Sequence, residues 1–277
     1  MAIEGTSVAA AIQGPRAWPV SVTSHLAPTP NFIAHAPRLW QMRDLVADAA
    51  HDLHSMLGAE QLPNFATRPL TVVTDLPGMS AAAMDTASHT LYAGPLDALT
   101  MDRGVIAHEL MHDATNELRP WTWQDARPPR SERAERRLSR IESEDRAIRE
   151  GLSDVAGAVH KRAWQLGPDG HEFGRDVIAP ERLSMTVRDV RAAAANFDLD
   201  FDAHAGGAPV TNAFHGTEAL GWTDMRTILR GTMRDLAKQP DRPLAFGDVA
   251  DAMRSTARAS GNREVMSVVA QAARHLR

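Results

Sequence analysis

Val105-Ile106-Ala107-His108-Glu109-Leu110-Met111-His112 is the stretch on which the reading of this chain turns. It is an H-E-x-x-H pattern with apolar flanks. On a helix, residues four apart lie one above the other on the same face. His108 and His112 then aim two imidazoles at one spot, with Glu109 beside them. Two neutral imidazoles at that spacing suit Zn2+, and the adjacent carboxylate suits a base that takes a proton from metal-bound water. The competing reading is plain: two polar positions on an amphipathic helix, with Glu109 solvated.

A zinc site needs at least one more protein ligand. Downstream, Ala147-Ile148-Arg149-Glu150-Gly151-Leu152-Ser153-Asp154 reads as helix from its apolar residues Ile148, Leu152 and Val155. Glu150 and Asp154 again share a face. Glu150 can be the third ligand, and Asp154 can accept the second ring proton of a ligand histidine and fix its tautomer. Taken alone, the same two residues are an acidic pair on a solvated helix.

H-E-L-M-H followed by A-I-R-E-G-L-S-D resembles the thermolysin-like zinc metallopeptidases. The resemblance implies an α+β fold: a thermolysin-like catalytic core with a reduced N-terminal β part, a central zinc helix and an all-helical C-terminal part. The N-terminal sheet domain of typical relatives is expected to be largely absent, as is a long propeptide. Ala82 to Asp85 would be the edge strand that holds substrate backbone, where the family has an Asn-Ala-x-Trp run. Trp123 stands where relatives carry a tyrosine that hydrogen-bonds the oxyanion. Val177 to Met185 resembles the family's L-R-S-M segment with Arg and Leu transposed, which makes Arg182 a candidate for holding the substrate carbonyl. A buried salt bridge or a surface charge are its alternatives.

Asp200 to Val210 resembles the family's H-x-N-S-G segment, followed by Asn212-Ala213-Phe214. His204 would steady the tetrahedral intermediate, with Asp200 or Asp202 holding it protonated. Without the resemblance, His204 is a loop residue or part of a cation-binding loop. Val105 and Leu166 are the implied walls of a pocket for a bulky apolar residue. The family's calcium carboxylates would fall near Gly104 and Lys161, with Gln165 following. An ammonium cannot ligate a cation, so no calcium is expected at that place.

The 277 residues carry a formal net charge of −5 and no cysteine. Disulfides and thiolate ligands are thereby excluded, leaving His, Asp and Glu for a metal. The slightly acidic balance gives no reason to expect nucleic acid, and no apolar run reaches membrane-spanning length. Met1 to Val22 lacks a basic n-region and has Glu4 in its place, so no signal peptide is read. The expectation is a soluble cytoplasmic chain as synthesised, with secretion or injection by a signal-independent route left open. Oligomeric state is not legible, and no internal repeat is seen.

Along the chain, residues 1–36 read as an extended or disordered arm rich in proline. Residues 37–165 read as a reduced α/β part holding the zinc and glutamate helices. A helix is expected from Pro37 to Leu57, with His51 and His54 as surface positions and a metal role as their alternative, then strands at Leu70–Thr74 and His89–Gly94. From Ser131, alternating Glu and Arg suit a solvated helix running to Glu150, or a basic partner-binding face. Residues 166–277 read as mainly helical, with apolar stripes such as Met225, Ile228, Leu229, Met233 and Leu236. The resulting expectation is a zinc endopeptidase acting on a peptide or protein substrate and cutting before bulky apolar residues. The alternative is a zinc-binding interaction protein that no longer cleaves.

Overall fold

The computed structural model describes residues 19–24, 30–58, 60–65, 67–120, 132–168, 175–195 and 203–277. The chain divides into two compact units, Met1–Glu117 with Ala156–Arg175, and Leu118–Val155 with Asp176–Arg277. These units interleave in sequence, while the expected division of the chain falls after residues 36 and 165.

The first unit is built on a four-stranded sheet. Strands β1 (Val20–Ser24), β2 (Leu70–Thr74), β3 (Ala82–Asp85) and β4 (Thr90–Ala93) lie in the order β1-β2-β4-β3. β1, β2 and β4 are parallel, and β3 returns antiparallel to β4 at the edge. Parallel neighbours need a long crossover, and helix α1 (Pro30–Leu57) supplies it between β1 and β2. Here the structure corrects the expected arm. Val20-Ser21-Val22-Thr23-Ser24 is a paired strand, and the helix begins at Pro30, with Pro37 inside it. The β-branched residues of β1 are usable only because Leu70–Thr74, far along the chain, offers a partner in register.

Helix α2 (Arg103–Leu118) carries the H-E-x-x-H stretch, and α3 (Glu132–Lys161) carries Glu150. The last turns of α3 belong to the first unit. There a Cβ on Gly157 would stand 2.5 Å from the carbonyl oxygen of Gly104, so α2 and α3 touch backbone to backbone. The core of this unit is Met42, Val46, Leu53, Leu70, Val72, Leu91, Ile106 and Leu110, all fully buried. A short strand β5 (Gln165–Leu166) pairs separately with β6 (Arg175–Asp176).

The second unit is helical. After α4 (Pro180–Leu183), α5 (Val187–Ala195), α6 (Ala203–Gly206) and α7 (Ala208–His215) come α8 (Trp222–Ala237), α9 (Phe246–Ala259) and α10 (Arg263–Ala272). The expected stripe of α8 is buried: Met225, Ile228, Leu229, Met233 and Leu236. The described end of the Arg/Glu run before Glu150 is only partly solvated. Glu144, Asp145 and Arg149 are buried. Glu144 and Asp145 accept the backbone N–H groups of Phe246 and Leu244, satisfying donors at the start of α9. Arg119 donates to the carbonyl of Leu236 in the last turn of α8 and to those of Gln239, Pro240 and Arg242 just past it. Among the described residues, no helix is long and apolar enough to cross a membrane.

Candidate metal centre

Helix α2 is started by Asp102, whose Oδ1 accepts the N–H groups of Gly104 and Val105 at 2.8 and 3.1 Å. From there Ile106, Ala107, Leu110, Met111 and Ala114 bury one side of the helix. His108 is held in this buried stripe at 1% exposure, and His112 is half-buried one turn on. Their Nε2 atoms are 3.1 Å apart, with the rings edge to face at 82°. Two nitrogens on one tetrahedral zinc at ~2.0–2.1 Å would be roughly 3.3 Å apart. The observed pair is close to that spacing.

Glu150 provides the third donor. Ligand atoms of His108, His112 and Glu150 all lie within 4.8 Å of one another, and among the described residues this is the group that can hold a metal ion. Two imidazole nitrogens and one carboxylate oxygen suit a borderline divalent cation.

Glu109 is steered from both sides of its carboxylate. Oε2 accepts the backbone N–H of Met84 in β3 at 3.1 Å, while Oε1 lies 3.8 Å from His108 Nε2. The general-base candidate therefore faces the ligand cluster with one oxygen and is tied to the sheet edge by the other.

In the second unit Glu150 meets His204, with His204 Nε2 3.1 Å from Glu150 Oε2. Glycines bring these segments close. A Cβ on Gly151 would stand 2.6 Å from the carbonyl of Gly207, and one on Gly207 would stand 2.6 Å from the Gly151 nitrogen. α3 and the start of α7 thus approach at backbone contact, one residue from Glu150 and three from His204. His204 keeps a side chain 42% exposed.

Asp154 is fully buried and accepts a hydrogen bond from Arg182 Nη2 at 2.9 Å. The same nitrogen donates to the carbonyl oxygen of His204 at 2.9 Å, and Asn212 Nδ2 donates to the Arg182 carbonyl at 3.0 Å. Of the roles open to Arg182, the buried salt bridge is the one seen. Its guanidinium joins the aspartate one turn past Glu150 to the backbone of His204.

The other expected site residues lie in the first unit or outside the described residues. Leu166, an implied pocket wall, is buried over Gly104 and Gly157, where it packs the two helices. Val105 is half-buried on α2. Lys161 Nζ bonds Asp102 Oδ2 at 2.7 Å and the Gly167 carbonyl, so a side-chain ammonium neutralises the aspartate that starts α2. Trp123, Asp200 and Asp202 lie outside the described residues. Two features escaped the sequence reading. One is the Met84 amide, since a backbone donor has no signature in residue type. The other is a buried contact between His89 Nδ1 and Asp113 Oδ2 at 2.8 Å, linking the start of β4 to the residue after His112.

No family model matches the chain, and no curated protein matches it.

Proposed function

We propose that this chain is a zinc-dependent peptidase, with His108, His112 and Glu150 holding the ion. The observation that carries the reading is the convergence of those three donors within 4.8 Å. Zinc held by three protein ligands activates water to a pKa of ~7 and polarises a carbonyl. The chain's residues divide the remaining work. Glu109 takes the proton of the attacking water and returns it to the leaving amine, a contribution typically of ~10²–10⁴-fold. His204 donates a ring N–H to the oxyanion. Arg182 acts through His204 and Asp154, holding the backbone of α6 that carries the histidine. The outer edge of β3 offers backbone groups to an extended peptide. Cleavage before bulky apolar residues follows from the family resemblance, and Trp123 is a further oxyanion donor in that reading.

A second reading has one observation in its favour. His204 stands 3.1 Å from the Glu150 carboxylate, and a histidine there can become a fourth ligand. Four protein ligands close a zinc site and leave no position for water. The chain would then be a zinc-binding interaction protein. The test is hydrolysis of casein and of a broad peptide library by zinc-loaded wild-type and Glu109→Gln protein. The peptidase reading expects cleavage by the first and a loss of ~10²-fold or more in the second. Stoichiometric zinc without cleavage of any substrate favours the closed site.

A further inference from the structure

We infer that the backbone amide of Met84 is the positioning group for the Glu109 carboxylate. Antiparallel pairing alternates between residues that exchange N–H···O bonds and residues that do not. Gly94 donates to the Ala81 carbonyl, so that pair is of the bonded kind. The register then makes Ala83↔Tyr92 and Asp85↔Thr90 bonded, and Ala82↔Ala93 and Met84↔Leu91 non-bonded. From the other side, Thr71 donates to His89 and Leu76 to Ala93, which aims the odd-numbered carbonyls of β4 at β2. Both lines agree that the amide of Met84 points away from β4, out of the open edge of the sheet.

That outward amide meets Glu109 Oε2 at 3.1 Å. A helix side chain is thus fixed by a strand backbone that has no ladder bond to lose. The geometry has a consequence for the carboxylate: with Oε2 anchored, Oε1 is left 3.8 Å from His108 Nε2, turned towards the ligand cluster. Without the anchor, a half-buried glutamate on a helix has several rotamers open to it. A base displaced by ~1 Å from its productive position can lose about 100-fold in rate. Edge positions with outward amides tolerate the loss of that donor, because no sheet hydrogen bond depends on it.

The kinetic consequence rests on the peptidase reading; the contact itself does not, and the test separates the two. The first arm replaces Met84 by its α-hydroxy acid, which turns the amide into an ester and keeps the side chain. Met84→Pro is the simpler companion. The expected result is a fall in kcat of about 10- to 100-fold, with KM and zinc content unchanged. An unchanged kcat, or a KM that rises at constant kcat, overturns the inference. The second arm follows amide hydrogen exchange in wild-type and Glu109→Ala protein without any substrate. Exchange at Met84 should accelerate about tenfold or more, while Tyr92, whose amide serves the β3–β4 ladder, stays as it was. A Met84 amide indifferent to Glu109 overturns the inference as well. A zinc-loaded wild type that cleaves nothing sinks the peptidase reading, and the exchange arm then decides the contact alone.

Discussion

Arg182 and Asp154 form an ion pair of 2.9 Å in which the carboxylate is fully buried, and the same guanidinium nitrogen holds the carbonyl of His204. Removing one member of a buried pair strands the other charge and typically costs ~3–5 kcal/mol. Arg182→Met should therefore lower the urea midpoint by an amount equivalent to that loss. The double variant Arg182→Met with Asp154→Leu should regain most of it, because the stranded charge is gone. A single substitution costing under about 1 kcal/mol, the range of exposed pairs, would show that the pair is not shielded from solvent.

Gly151 makes a separate prediction. Its missing side chain lets α3 lie against Gly207 and Val210, where an added Cβ would fall 2.6 and 2.7 Å from the Gly207 carbonyl oxygen and the Val210 Cβ. Ordinarily Gly→Ala stabilises a helix interior by up to ~1 kcal/mol. Here the added methyl meets backbone, which cannot move as a flexible side chain can. Gly151→Ala should destabilise the protein by ~1–3 kcal/mol, the usual range for overpacking. It should also weaken zinc binding, because Glu150 is the preceding residue. Thermal melting and zinc titration of the variant check both; a more stable Gly151→Ala protein would contradict the close approach.

Acid should act on the second unit through Asp248. Burial alone would raise the pKa of this carboxyl. Hydrogen bonds from the Arg242 guanidinium at 2.7 and 2.8 Å and from the Ala245 amide outweigh it, and hold the pKa below the ordinary value. A carboxylate with a depressed folded-state pKa contributes stability above its unfolded pKa and loses it as pH falls through the folded one. That contribution should fade from about pH 5 downwards. Asp248→Asn should be less stable than wild type at neutral pH, by roughly 1 kcal/mol for the weakened helix start. The two proteins should converge as the solution is acidified. Urea melts from neutral pH down to about pH 3 measure this, and a stability gap that stays constant with pH would refute it.

How much of this was legible beforehand depends on the range over which each feature is specified. His108, Glu109 and His112 are set by helical spacing, which is local, so the sequence alone places them on adjoining faces. Glu150 was legible for the same reason, since it heads its own i,i+4 pair with Asp154. β2 was found with its exact limits from β-branched residues and a following turn. β1 was not, because a parallel edge strand is specified by a partner some fifty residues away and its prolines suggested an open arm. The burial of Glu144, Asp145 and Arg149 was hidden for a similar reason. Alternating charge looks solvated until the start of a distant helix supplies backbone donors for it. Arg182 shows both outcomes: its pairing was among the possibilities, but no spacing rule links it to Asp154, twenty-eight positions earlier.

Whether His108, His112 and Glu150 together hold one divalent ion is decided by metal content. Purified protein is loaded with zinc, freed of excess by gel filtration, and assayed by mass spectrometry beside His108→Ala, His112→Ala and Glu150→Ala. One zinc per wild-type chain is expected, and substantially less than one in each variant, with all four still folded by circular dichroism. A wild type that retains no zinc, or folded variants that retain it in full, would show that these three residues do not hold the ion.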